Sequence, residues 1–213
     1  MPRPKLRTPE LRERVLRVAV ALLARDGAAQ LTARKVAERA ETSTPAVYEL
    51  FGDKSGLVRE IFFEGFRMLR HCFDDLPESG DARADLVGLL QTFRSFIRAN
   101  PVLAELMFLR RFTDFDPSPS DQRAGDAVRK FVVSRVRRCV DAGLLAGDPT
   151  DIAHALVALT EGLAATEVAG WLGTSKASVE RRWDLAIGSI LDGLAAGARQ
   201  RSRAARRSTA ATT

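Results

Sequence analysis

The placement of proline constrains this chain more than any other feature. Nine prolines stand at positions 2, 4, 9, 45, 77, 101, 117, 119 and 149, leaving proline-free stretches of the length that helices need. Inside those stretches the apolar residues recur at intervals of three and four. Leu11, Val15, Val18 and Leu22 form one such run, Leu86, Leu89, Leu90, Phe93 and Ile97 a second, and Val128, Val132 and Val136 a third. A fourth comprises Val179, Trp183, Ala186, Ile187, Ile190, Leu191 and Leu194. No segment alternates with period two beside an Asn-Gly or Asp-Gly turn, so strands have no support. The reading is all-α, with about nine helices and no repeat period.

At 213 residues and 46% apolar types the chain has material for one or two ordinary domains. Two cysteines exclude a disulfide scaffold, and Cys72 and Cys139 read as reduced fillers. No window approaches the roughly 18 consecutive apolar residues of a membrane span, and the first twenty residues lack the apolar core of a secretory signal, so a cytoplasmic location is expected. The net charge of +6 divides unevenly: +4 over residues 1–60, −3 over 61–196 and +5 over 197–213. A mildly acidic body with two basic ends points to a polyanionic partner at an end.

Helix ends are legible near the start. Thr8 followed by Pro9 supplies an N-cap and a first helical residue that needs no N–H, and Asp26-Gly27 supplies the stop. Thr32 caps a short helix to Ala40, with Leu31 and Val36 as a hydrophobic staple. After a break at Glu41, Thr42 and Ser43, Ser43 caps Thr44 to Phe51, and Pro45 is tolerated in the first turn. Asp53 caps a longer helix from Lys54 towards Phe73. Two short helices separated by three residues and preceded by a stabilising helix make a helix-turn-helix.

On the second short helix Val47, Leu50 and Phe51 fall on one side, continuous with Val36, Ala37 and Ala40. Pro45, Ala46, Tyr48 and Glu49 fall on the other, which is small and polar enough to enter a major groove about 12 Å wide. Tyr48 is the only tyrosine beside eleven Phe. Its hydroxyl is placed to meet a phosphate oxygen; the competing reading is a surface aromatic half-packed on Phe51.

The stretch from Leu31 to Leu57, LTARKVAERAETSTPAVYELFGDKSGL, resembles the DNA-binding domain of TetR-family transcriptional repressors, which share the capped helix, short turn, Tyr-x-x-Phe ending and following Lys. The specific match covers Arg14 to Phe63. The resemblance implies DNA contacts from Thr32, Arg34, Ser43, Thr44, Tyr48 and Lys54, with Tyr48 and Lys54 on phosphates and Thr44 and Ala46 nearest the bases. Residues 1–55 are then the DNA-binding domain, 56–197 an effector-binding and dimerisation domain, and 198–213 a basic, disordered tail. Two departures from the family pattern stand out. Glu41 stands where Gly is common and Thr42 where an apolar residue is, which implies a turn that is strained or differently shaped, and Glu49 stands where His, Tyr or a basic residue is usual. Glu49 either points away from the duplex or accepts a hydrogen bond from a cytosine amino group; base reading is the hypothesis taken here. Arg3, Lys5 and Arg7, punctuated by Pro2 and Pro4, suggest an extended arm for a minor groove or neighbouring phosphates.

The family also implies a pocket for a small, often hydrophobic effector in the body. Phe93, Ile97, Met107, Phe108, Phe112 and Phe131 are its candidate lining, with His154 and Glu161 as polar anchors; core packing is the competing reading for each. Ile152, Leu156, Leu159, Leu163, Trp183, Ile187, Ile190, Leu191 and Leu194 form a long apolar stripe on the last two helices. Two copies joined as a four-helix bundle would cover it and present paired recognition helices to a palindromic operator. The combined expectation is a homodimeric repressor released from double-stranded DNA by a small hydrophobic molecule, without cofactor or metal.

The rivals are a helical enzyme and a protein-binding adaptor with a degenerate helix-turn-helix. Catalysis has little support: only His71 and His154 occur, with no Gly-rich phosphate loop and no metal-spaced Cys pair. Asp74-Asp75-Leu76-Pro77-Glu78 resembles an aspartate-rich magnesium motif, but Pro77 breaks the helix that would align its carboxylates.

Overall fold

The computed structural model describes residues 8–109 and 119–210. Among them the chain forms nine α-helices and no strand. These are α1 (Pro9–Asp26), α2 (Ala33–Arg39), α3 (Thr44–Phe51), α4 (Lys54–Asp74), α5 (Ala82–Ala99), α6 (Pro101–Ala104), α7 (Pro119–Asp141), α8 (Pro149–Val168) and α9 (Lys176–Ala210). A single 3-10 turn, Ala28–Gln30, follows α1, and one π-helical turn, Glu105–Leu109, follows α6. The basic arm at residues 1–7 and Phe112 lie outside the described residues.

The chain divides into two compact units, Met1–Leu69 with Asn100–Gly125, and Arg70–Ala99 with Asp126–Thr213. The boundary expected at residue 55 therefore falls inside the first turn of α4, which continues unbroken to Asp74.

In the first unit the helix ends are set by the residues that the sequence marks. The Thr8 hydroxyl accepts the Leu11 N–H at 3.3 Å, and Gly27, at φ 77°, donates its N–H to the Leu23 carbonyl oxygen at 3.0 Å. Val15, Ala19, Leu22 and Leu23 of α1 are buried with Val36 and Ala37 of α2, Val47 and Phe51 of α3, and Leu57 and Ile61 of α4. Their three-and-four spacing is what lets the two short helices and the two longer ones share one core. Phe66 meets Phe108 edge-on at 5.9 Å, and a side chain at Gly65 would run into Met107.

In the second unit α8 packs along α5, burying Leu86, Leu89, Leu90, Phe93 and Ile97 of α5 and Ile152, Leu156 and Ala164 of α8. Asp148 caps α8 by accepting the N–H groups of Thr150 at 2.8 Å and Asp151 at 3.1 Å. Asp85 is buried yet ionised: Ser79 and Arg138 hydrogen-bond its carboxylate and hold its pKa below the usual range.

The segment expected as a basic tail after Gly197 continues α9 as far as Ala210; Ala and Arg are strong helix formers, and their propensity extends a helix already nucleated by packing. Residues 211–213 lie outside the described residues. In the stripe assigned to dimerisation, Ile152, Leu156, Trp183, Ile187 and Leu191 are buried in their own chain. Leu159, Leu163, Ile190 and Leu194 remain half-buried. The apolar period marks a covered face, and most of this one is covered within the unit.

Candidate nucleic-acid interface

Helix α2 ends in a Schellman motif: the Thr42 N–H donates to the Ala37 carbonyl oxygen at 2.9 Å and the Glu41 N–H to that of Glu38 at 3.3 Å. The motif requires a left-handed residue, and Glu41, at φ 51°, takes it. It is the one non-glycine residue with positive φ among the described residues, which bears out the strained turn expected from its departure from Gly.

The two short helices start on hydroxyl caps. The Thr32 Oγ1 accepts the Lys35 N–H at 3.3 Å and the Ser43 Oγ accepts the Ala46 N–H at 3.2 Å. Each hydroxyl uses an oxygen lone pair for the cap and keeps its own O–H as a donor. On α3, Val47 and Phe51 are buried at 1% and 7% exposure, whereas Tyr48 is 46% exposed. Pro45 and Glu49 are exposed and Thr44 and Ala46 half-buried. Arg34 is exposed in the first turn of α2, and Lys54 is exposed as the first residue of α4. The nine expected DNA-facing residues thus lie in one unit, on accessible sides of α2, α3 and the start of α4.

The junction of α3 and α4 depends on glycine. The Asp53 carboxylate accepts the Gly56 N–H at 2.7 Å, and any side chain at Gly56 would collide with the Phe51 carbonyl. Gly52, at φ 81°, makes the preceding turn.

Two residues of α1 hold this arrangement and were not singled out in the sequence. Arg14 Nε donates to the Ala40 carbonyl oxygen at the end of α2 at 3.1 Å. Arg12 Nη1 donates to the Leu50 carbonyl oxygen near the end of α3 at 3.2 Å, and its Nη2 pairs with Glu60 of α4 at 2.8 Å. Both arginines satisfy carbonyls at the negative end of a helix. Nothing local distinguishes them from solvated charges.

The expected effector residues are distributed over both units. Met107 and Phe108 belong to the first; Phe93, Ile97, Phe131, His154 and Glu161 belong to the second. Phe131 stacks on Phe73 at 5.5 Å, with the Arg70 guanidinium 4.4 Å and that of Arg135 5.0 Å from its ring centre. His154 is not an interior anchor: its ring is exposed, with Nδ1 2.8 Å from the Thr150 carbonyl oxygen one turn back on α8. Glu161 is half-buried and its carboxyl has no ion-pair partner among the described residues; burial pushes its pKa up to about 7.

Residues 15–61 match the family described as bacterial regulatory proteins, tetR family, and residues 86–190 match the Tetracyclin repressor-like C-terminal domain. Among solved structures, a protein with unknown function from Rhodococcus sp. RHA1 is 26% identical, with a TM-score of 0.75 over 91% of this chain and 100% of that one. Apo ActR from Streptomyces coelicolor, 17% identical, gives 0.63 over 89% and 96% of the two chains. A transcriptional regulator from Rhodococcus sp. Rha1, 21% identical, gives 0.64 over 85% and 96%. No curated protein sequence matches significantly. The chain belongs to the TetR family of transcriptional regulators, and its helix-turn-helix makes it a DNA-binding regulator rather than an enzyme. No helix among the described residues is long and apolar enough to cross a membrane.

Proposed function

We propose that this protein is a repressor that binds a palindromic operator as a homodimer and is released by a small hydrophobic effector, acting where the bacterial chromosome lies. The observation that carries the reading is the two-sided build of α3. Its Val47 and Phe51 side is buried while Pro45, Tyr48 and Glu49 face outward, so one helix is both anchored and available to a major groove. In this reading the Thr32, Ser43 and Tyr48 hydroxyls and Lys54 meet phosphates, and Arg34 adds charge at the flank. Thr44, Pro45, Ala46 and Glu49 lie nearest the bases.

The effector binds the body and favours a conformation whose paired recognition helices no longer match successive major grooves. It weakens operator binding by the coupling energy between the two sites, typically about 1–3 kcal/mol. Glu161, half-buried and without an ion-pair partner among the described residues, is the polar group proposed to meet it. Self-association uses the apolar surface that α8 and α9 leave open. Val168 is 46%, Trp171 86% and Leu185 69% exposed.

The test is fluorescence anisotropy on DNA from upstream of the protein's own coding sequence, across a salt series. Saturable binding is expected, with Lys54→Ala reducing the slope of log affinity against log salt by about 1.8, the value of two phosphate contacts, one from each copy of the dimer. Failure of the wild-type chain to prefer that DNA over a scrambled duplex would overturn the reading.

A further inference from the structure

Arg12, in the first turn of α1, is the side chain through which three helices of the DNA-binding unit meet. Besides its bond to the Leu50 carbonyl oxygen and its pair with Glu60, its guanidinium carbon stands 4.7 Å from the centre of the Phe51 ring. Glu60 also lies 3.9 Å from Arg67, which pairs with Glu64 at 2.6 Å, so the acid is held on α4 from both sides. The Glu60 side chain is 13% exposed and that of Arg12 38%, so the pair is shielded from solvent at its acid and open at its cation.

These contacts constrain different motions of α3. The carbonyl bond fixes its position along the axis, and the cation over the Phe51 ring fixes its rotation about that axis. Glu60 refers both to α4. Rotation is the sensitive coordinate for sequence reading. Side-chain tips lie about 5–6 Å from a helix axis, so a 20° roll moves them by roughly 2 Å. Hydrogen bonds to base edges span only about 2.7–3.2 Å, so such a roll breaks them, whereas flexible contacts to phosphate follow it.

We infer that Arg12 is a positioning residue for operator discrimination: by holding Leu50, Phe51 and Glu60 together it sets the roll of the recognition helix on the duplex. This rests on the DNA-binding reading above.

The experiment uses the full chain, with an operator selected in vitro and a scrambled duplex of equal length, each titrated across a salt series well below the melting temperature. Arg12→Met keeps the apolar stem and removes the guanidinium. Its operator affinity should fall about tenfold or more, its affinity for the scrambled duplex less than twofold, and its salt slope should not change. Arg12→Lys, which reaches Glu60 but loses the planar stack on Phe51, should be intermediate. Glu60→Gln should reduce discrimination too, and its effect should be smaller in the Arg12→Met background than alone. Equal losses on both duplexes with a slope lower by about 1.8, one phosphate contact per copy, would make Arg12 a phosphate contact and overturn the inference. So would unchanged discrimination with only a lower melting temperature, for either substitution. A wild-type chain without preference for any duplex would instead remove the DNA-binding reading itself.

Discussion

Glu41 holds a backbone conformation in which its Cβ crowds the following carbonyl, at a cost of about 1–2 kcal/mol for a residue other than Gly. Both hydrogen bonds of the Schellman motif form around it, so the motif persists despite that cost. Glu41→Gly relieves the crowding but adds unfolded-state freedom, which offsets part of the gain. The net expectation is a stabilisation of about 0.5–1 kcal/mol in urea denaturation with an unchanged m-value; a loss of stability would mean that the Glu side chain contributes more than its backbone costs. Glu161 presents the opposite case, in which the side chain carries the strain. Its folded pKa of about 7 stands above the ordinary value of 4.5, so between the two the folded state holds a proton that the unfolded state has released. Stability should therefore be level below about pH 4.5 and fall as pH rises towards 7. Glu161→Gln should raise stability at pH 8 by about 2 kcal/mol and change little at pH 4. Equal shifts at both values would show that ionisation is not the source.

At the scale of the element, what was legible in the sequence was local. Thr8, Thr32, Ser43 and Asp53 each cap a helix that begins within one residue of them, so neighbouring residues suffice to place α1 to α4. The candidate DNA face was legible for the same reason, since the period of a short helix sorts Val47 from Tyr48. Trp183 shows the limit. Its spacing marks a covered face but not what covers it, and the answer is 89 residues away: Arg94 of α5 lies over its ring at 4.5 Å while its indole N–H donates to Glu167 at 2.7 Å. Arg94 in turn pairs with Glu167 at 2.7 Å and Glu180 at 2.8 Å, joining α5, α8 and α9. No local rule pairs charges so distant in the chain, and Arg12 and Arg14 escaped for the same reason. The network's members should differ in weight. The side chains of Arg94 and Glu167 are 4% and 12% exposed, so Arg94→Ala leaves a nearly buried carboxylate short of its main partner and should cost about 3–5 kcal/mol. Glu180 is 42% exposed, and Glu180→Gln should cost under about 1 kcal/mol. Denaturant titration of the two variants separates these values; similar losses would show that burial does not set the strength of the network.

For the whole molecule, the proposed repressor works only if two chains present two recognition helices together. With Ile152, Leu156, Trp183, Ile187 and Leu191 enclosed in their own chain, a second copy must be held by what remains open on and beside α8 and α9. Leu185 is the sharpest probe of that surface. It is 69% exposed in mid-helix, so a charge there leaves the single chain's packing intact while opposing burial against a partner. Leu185→Asp should keep the helical content and melting behaviour of a folded chain but sediment as one copy at micromolar concentration. Each copy would then meet one half-site without the raised local concentration that a dimer gives the other. Operator affinity should therefore fall at least a hundredfold, while affinity for scrambled DNA falls far less. Dimeric sedimentation of Leu185→Asp would place the two-fold contact elsewhere. A monomer that still binds the full operator with wild-type affinity would mean that one helix-turn-helix suffices, and the paired-helix mechanism of release would have no geometric basis.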